Sequence, residues 1–163
     1  MAEHDYFGVI DESGTERWTE QVEANDQLVA VSVWVEAPAT DDALDRAAAM
    51  VMSLDAIDSH AREQLVAELA SHATPTSQFV ALAIAEIDDD DLVAALDRES
   101  GDRAIDILRS LQLDTAIIRP DQAGDDEAFC TLRYSFVPDS FEMELVAVLD
   151  ARAESADIRL ERW

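Results

Sequence analysis

The sequence predicts an α+β domain: a largely antiparallel sheet built from N- and C-terminal strands, with a central block of four to five helices packed on one side. Two observations predict it. Both ends of the chain alternate apolar and polar residues, the period of a half-buried strand. Between Pro38 and Leu111 the apolar residues instead recur every three to four positions, and capping residues precede the runs. Strands and helices segregated in this way point to α+β rather than to an alternating α/β fold.

The first strand is expected over Tyr6 to Ile10, followed by turn chemistry at Asp11-Glu12-Ser13-Gly14. Thr15 to Val22 reads as a mostly polar edge strand carrying Trp18, and Ala24-Asn25-Asp26 turns the chain. Leu28 to Val35 sets Val29, Val31, Val33 and Val35 on one face and Ala30, Ser32 and Trp34 on the other. With both faces partly apolar, it is the candidate central strand.

Pro38 ends this sheet segment. Thr40 or Asp41 can cap a helix with the stripe Leu44, Ala48, Val51 and Met52. Asp58 or Ser59 can cap a second, with Leu65, Val66 and Leu69 facing inward. Thr74-Pro75 is a cap followed by proline at the first helical position, opening a helix apolar on most sides: Phe79, Val80, Leu82, Ala83, Ile84 and Ile87. It is the expected buried helix. Asp88 to Asp91 suit a helix start, where the macrodipole favours negative charge, and Gly101 suits that helix's C-terminal cap. A last helix is expected from about Asp102 through Ile105, Leu108 and Leu111.

Strands return with Thr115 to Arg119, stopped by Pro120, and a polar loop follows from Asp121 to Asp126. Phe129 to Phe136 carries Cys130, Leu132, Tyr134 and Phe136 on one face. After a turn at Pro138-Asp139, Met143 to Leu149 is nearly all apolar, a second central strand. Ile158 and Leu160 alternate with charged residues in a half-exposed closing strand. The 163 residues fit one domain, residues 1–163.

Charge narrows the partners. With 37 acidic and 11 basic residues the formal net charge is −26. Such a field repels nucleic-acid phosphates and anionic membranes, and it speeds encounter with a basic protein. It equally suits plain solubility or a salty habitat. Every basic residue is Arg, so Schiff-base lysine chemistry and a P-loop lysine are excluded. The single cysteine, Cys130, rules out an intrachain disulfide and a Cys-x-x-Cys site. No run approaches 18 apolar residues and the first residues lack an apolar signal core, so a cytoplasmic location is expected.

Sequence chemistry is sparse. His4, His60 and His72 lack the i, i+4 spacing of a helical metal pair, and surface or helix-end positions account for them. Counting six from Asp88 reaches Val93, and from Asp121 reaches Asp126, so neither acidic run has the glycine of an EF-hand loop. Glycines at 8, 14, 101 and 124 permit no phosphate-binding loop and no Gly-x-Ser-x-Gly elbow. Cys130, on an apolar strand face, reads as inert packing. No catalytic, cofactor or metal residue is expected. Trp18 and Trp163 are the interface candidates, since Trp is enriched at protein contacts, although core or sheet-cover packing is the commoner role.

Short motifs spread along the chain carry a resemblance. They are Tyr6-Phe7-Gly8; Trp18 followed by Val31-Ser32-Val33-Trp34-Val35; Ala61-Arg62-Glu63; Tyr134-Ser135-Phe136 with Pro138; and Leu145-Val146-Ala147-Val148-Leu149-Asp150. Together they resemble an uncharacterised bacterial family, domain of unknown function two thousand and four. The resemblance implies a bacterial, cytoplasmic, single-domain protein and transfers no catalytic residue. Two functions follow as expectations: a non-enzymatic, immunity- or chaperone-like protein binding a basic protein partner, or a small carboxylate- or divalent-metal-dependent enzyme. Self-association through the closing strand and Trp163 is a further expectation.

Overall fold

The computed structural model describes residues 2–10, 17–125, 127–137, 139–154 and 156–162. The expected turn at 11–14, the strand start at Thr15, Asp126 at the end of the polar loop, Pro138 and the interface candidate Trp163 lie outside the described residues.

The architecture is α+β. A small hairpin, β1 (Ala2–His4) and β2 (Gly8–Ile10), precedes a six-stranded sheet. That sheet is made of β3 (Arg17–Ala24), β4 (Gln27–Trp34), β5 (Gln112–Ile118), β6 (Cys130–Ser135), β7 (Met143–Leu149) and β8 (Ala156–Arg162), adjacent in that order. Between β4 and β5 run five helices: α1 (Asp41–Met52), α2 (Leu54–Glu68), α3 (Pro75–Glu86), α4 (Asp89–Ala95) and α5 (Arg103–Arg109). β4 and β5 are parallel and every other neighbouring pair is antiparallel. A parallel pair needs a long crossover, and the helical block supplies it.

β3 and β8 are the edge strands, and β4 and β7, expected to be central because both of their faces are apolar, lie inside the sheet. Asn25 and Asp26 join β3 to β4 with φ of 49° and 63°, the left-handed pair of a two-residue hairpin turn. The first expected strand differs. Tyr6 and Phe7 fall in the turn between β1 and β2, and Gly8 enters β2 at φ 73°, a conformation that glycine adopts without steric cost.

The sheet has one covered face. Val29, Val31, Val33, Ala116, Ile118, Cys130, Leu132, Tyr134, Leu145, Ala147 and Leu149 are buried there with the helices. Row by row, the other face carries Thr19, Ser32, Ile117, Thr131, Val148 and Asp157 across the strands, polar residues mixed with two apolar ones, all half-exposed or exposed. Arg133 bridges Glu144 at 2.9 Å and Glu161 at 3.1 Å on that face, tying β6, β7 and β8 together.

Four helix expectations need correction. Met52 is 68% exposed, because α1 buries Ala43, Leu44, Ala47, Ala48, Met50 and Val51 and turns Met52 outward. α2 starts at Leu54 after Ser53, so Asp58 and Ser59 lie inside it; Asp58 is consumed by tertiary hydrogen bonds instead of capping. α3 has the expected Thr74 cap, whose Oγ1 accepts the Ser77 N–H, but it is not buried all round: Ile84 is 49% exposed. Gly101, at φ 95°, does not cap α4. Leu96 already leaves the helix in an extended conformation, and Gly101 prepares the entry to α5, where Asp102 caps Ile105.

Candidate functional site

An open groove of about 500 Å³ runs over the helical layer. Its apolar lining comes from Val66 of α2 and Leu69 at its C-cap, Val80 and Ile84 of α3, and Ile105 of α5, with Ala70, Ala81 and Ala104 as small residues between them. The local sequence explains the opening. α2 buries Leu65 and leaves its neighbour Val66 half-exposed, and α3 buries Phe79, Val80 and Ala83 while Ile84 points out. α5 is a short helix and buries Ile107 and Leu108, leaving Ala104 and Ile105 partly open. Phe79 is anchored beneath by Phe141, with ring centroids 5.3 Å apart at 69°. The groove floor is therefore set by the packed core.

The two ends of the groove differ. His72 and Ser77 lie at the start of α3. At the other end stands Asp102, the cap of α5. Arg103 Nη1 meets Asp89 Oδ1 at 2.7 Å, which ties the beginning of α5 to the beginning of α4, just beyond the end of α3. Asp88, Asp89, Asp90 and Asp91, all exposed, thus lie beyond the Ile84 end, and Asp102 is the carboxylate that lines the groove itself. Glu86 faces another depression, with Asp139, Ser140 and Arg162. The Asp88–Asp91 run is a helix start, as its dipole preference predicts: Asp88 is the N-cap and Asp89, Asp90 and Asp91 form the first turn of α4.

The other sequence candidates lie elsewhere. Trp18 is half-buried on β3, in contact with Phe7 (5.1 Å, edge-on) and Tyr6 (5.8 Å), so it seats the N-terminal hairpin against the sheet edge. It does not line the groove. His4 donates from Nε2 to Asp45 Oδ1 at 3.0 Å and accepts the Tyr6 N–H at Nδ1, fastening the hairpin to α1. His60 Nε2 donates to the Glu154 carbonyl at 2.9 Å. Cys130 is fully buried, and burial pushes its thiol pKa up to about 12, which keeps it protonated and unreactive.

Sequence reasoning missed a buried polar cluster. Asp58, wholly inaccessible, accepts from Arg62 Nε at 2.9 Å, Tyr134 Oη at 2.8 Å and Asn25 Nδ2 at 2.8 Å. Burial, and then the Asp58 carboxylate, raise the Tyr134 pKa well above its ordinary value. The Asp58–Arg62 spacing of four along one helix was the available signal. The donors around Asp58 satisfy its charge, and the cluster lies under the helices as a structural lock.

Among the described residues no group of three His, Cys, Asp or Glu side chains is placed to hold a metal ion, and no helix is long and apolar enough to cross a membrane. No family model matches the chain, and neither a curated protein nor a solved structure matches it.

Proposed function

We propose that this protein is a non-enzymatic binding module that holds a basic polypeptide partner in the α2–α3–α5 groove. One observation carries the reading: a partly open apolar groove, with Ile84 49% exposed, ends in a cluster of exposed carboxylates. The two halves act at different range. The net charge of −26 draws cations in and raises the encounter rate, and salt screens that pull. Burial of apolar surface then holds the partner and is much less sensitive to salt. A bacterial, cytoplasmic protein of the resembled family fits this reading, in the manner of an immunity or chaperone protein.

The test is affinity capture from cell lysate at low salt, with wild type and Ile84→Glu as paired baits. The expected result is a basic polypeptide that wild type retains, high salt releases, and the variant fails to hold despite its extra negative charge. Retention of no salt-sensitive basic polypeptide by wild type sinks the reading.

A further inference from the structure

We infer that the groove takes its partner as an amphipathic helix, its apolar stripe on Val66, Leu69, Val80, Ile84 and Ile105 and its cationic residues at the Asp102 end. This deepens the proposed function and rests on it. The form of the occupant follows from the walls. They are helices for the most part, whose interior backbone N–H and C=O groups are spent within each helix, with Leu69, Ala70, His72 and Asp102 adding side chains from the turns and caps beside them. A peptide bound as an extended strand would find no ladder partner there for its own backbone groups, and burying them unpaired is costly. The free edges of the six-stranded sheet belong to β3 and β8, and no strand residue lines the groove. A helix brings its backbone bonds with it and asks the groove only for apolar contact, through anchors spaced i, i+3 or i+4, and i+7.

The lining suits that occupant. Ala70, Ala81 and Ala104 are small, so a helix can approach closely between the larger anchors. Charge sets its chemistry: Asp102 lines the groove, and exposed Asp88, Asp89, Asp90 and Asp91 lie beyond it, tied to α5 through the Arg103–Asp89 pair. Arg or Lys beyond the apolar stripe meets those carboxylates, and an acidic helix is rejected by them.

The experiment uses the full chain and three synthetic peptides of about 18 residues and equal Leu, Ala and Arg content, long enough to be marginally helical alone. One has its Leu residues on a helical stripe, one has the same residues permuted to destroy the stripe, and one has the stripe with a central proline. Binding is followed by anisotropy and helix content by circular dichroism. The striped peptide is expected to bind about tenfold or more tighter than either control and to gain helicity when bound. Ile84→Glu and Ala81→Trp, both at exposed positions, are expected to remove that advantage, and Leu28→Glu on β4 to leave it intact. Equal binding of the proline or permuted peptide, with Ile84→Glu still weakening it, overturns the helical mode and leaves the broader reading standing. No binding of any cationic peptide at low salt overturns both. A wild-type dimer in sedimentation that Ile84→Glu converts to monomer also overturns the inference, because a second copy then fills the groove.

Discussion

The Tyr134 hydroxyl donates to Asp58 Oδ1 at 2.8 Å, joining β6 near its C-terminal end to the second turn of α2 across 76 residues. The same oxygen accepts from Arg62 Nε, and Asp58 Oδ2 accepts from Asn25 in the β3–β4 turn. The Arg62 guanidinium carbon lies 5.1 Å from the Tyr134 ring centre, a cation–π arrangement within the same cluster. One carboxylate thus fixes α2 against both the N-terminal hairpin of the sheet and its centre. A buried carboxylate is tolerable only when paired and hydrogen-bonded, and here all three donors come from different elements or turns.

Removing the acceptor should therefore cost more than removing one donor. Asp58→Ala strands the Arg62 charge and is expected to destabilise by about 3 kcal/mol, at the low end for a broken buried pair because Arg62 remains partly solvated. Tyr134→Phe is expected to cost about 1–2 kcal/mol. Since both changes break one bond, their effects should combine to less than their sum in urea unfolding. A loss below about 1 kcal/mol for Asp58→Ala would show that the cluster does not hold α2.

Cys130 provides a probe of opening. Its thiol is wholly buried on the covered face of β6, and its pKa is raised to about 12. A neutral disulfide reagent at mildly alkaline pH should leave the native protein unmodified and label one equivalent in denaturant. Rapid labelling of the folded chain would mean that β6 is open to solvent.

Asp106 should make stability depend on acid. Hydrogen bonding from Ser100 lowers its pKa; burial opposes this, and Arg109 and Arg103 add to the lowering. A carboxyl whose folded pKa lies below its unfolded value binds fewer protons in the folded state, so its contribution is fully present above the ordinary range near ~4 and is lost as pH falls through the lowered value. Wild type should exceed Asp106→Asn in urea midpoint at neutral pH, and the gap should close in strong acid. A gap independent of pH would assign the effect to packing.

Much of the fold was readable because local signals agreed with the global result. Val29, Val31 and Val33 alternate and are buried; Thr74-Pro75 opens α3; Asn25-Asp26 makes a tight turn. The groove was not readable. Leu82 and Ile84 look equally apolar in sequence, yet Leu82 is half-buried while Ile84 is exposed and lines the groove opposite α5. Asp58 looked like a cap because a carboxylate beside serine before a helical run has that appearance; its real partners are 33 and 76 residues away in Asn25 and Tyr134.

By itself the sequence determined the periods, and with them which stretches are strand and which helix apart from the ends of some elements, the segregation of strands to both ends, the acidity, and the burial of Cys130. Those properties depend on neighbours within a few positions. The tertiary structure alone decided that β4 and β5 run parallel, that Asp58 is a lock, and that Ile84 opens a groove near the Asp88–Asp91 run and Asp102. Period reveals which face of an element is apolar; only packing against a particular partner, at a particular length and angle, decides whether that face is covered.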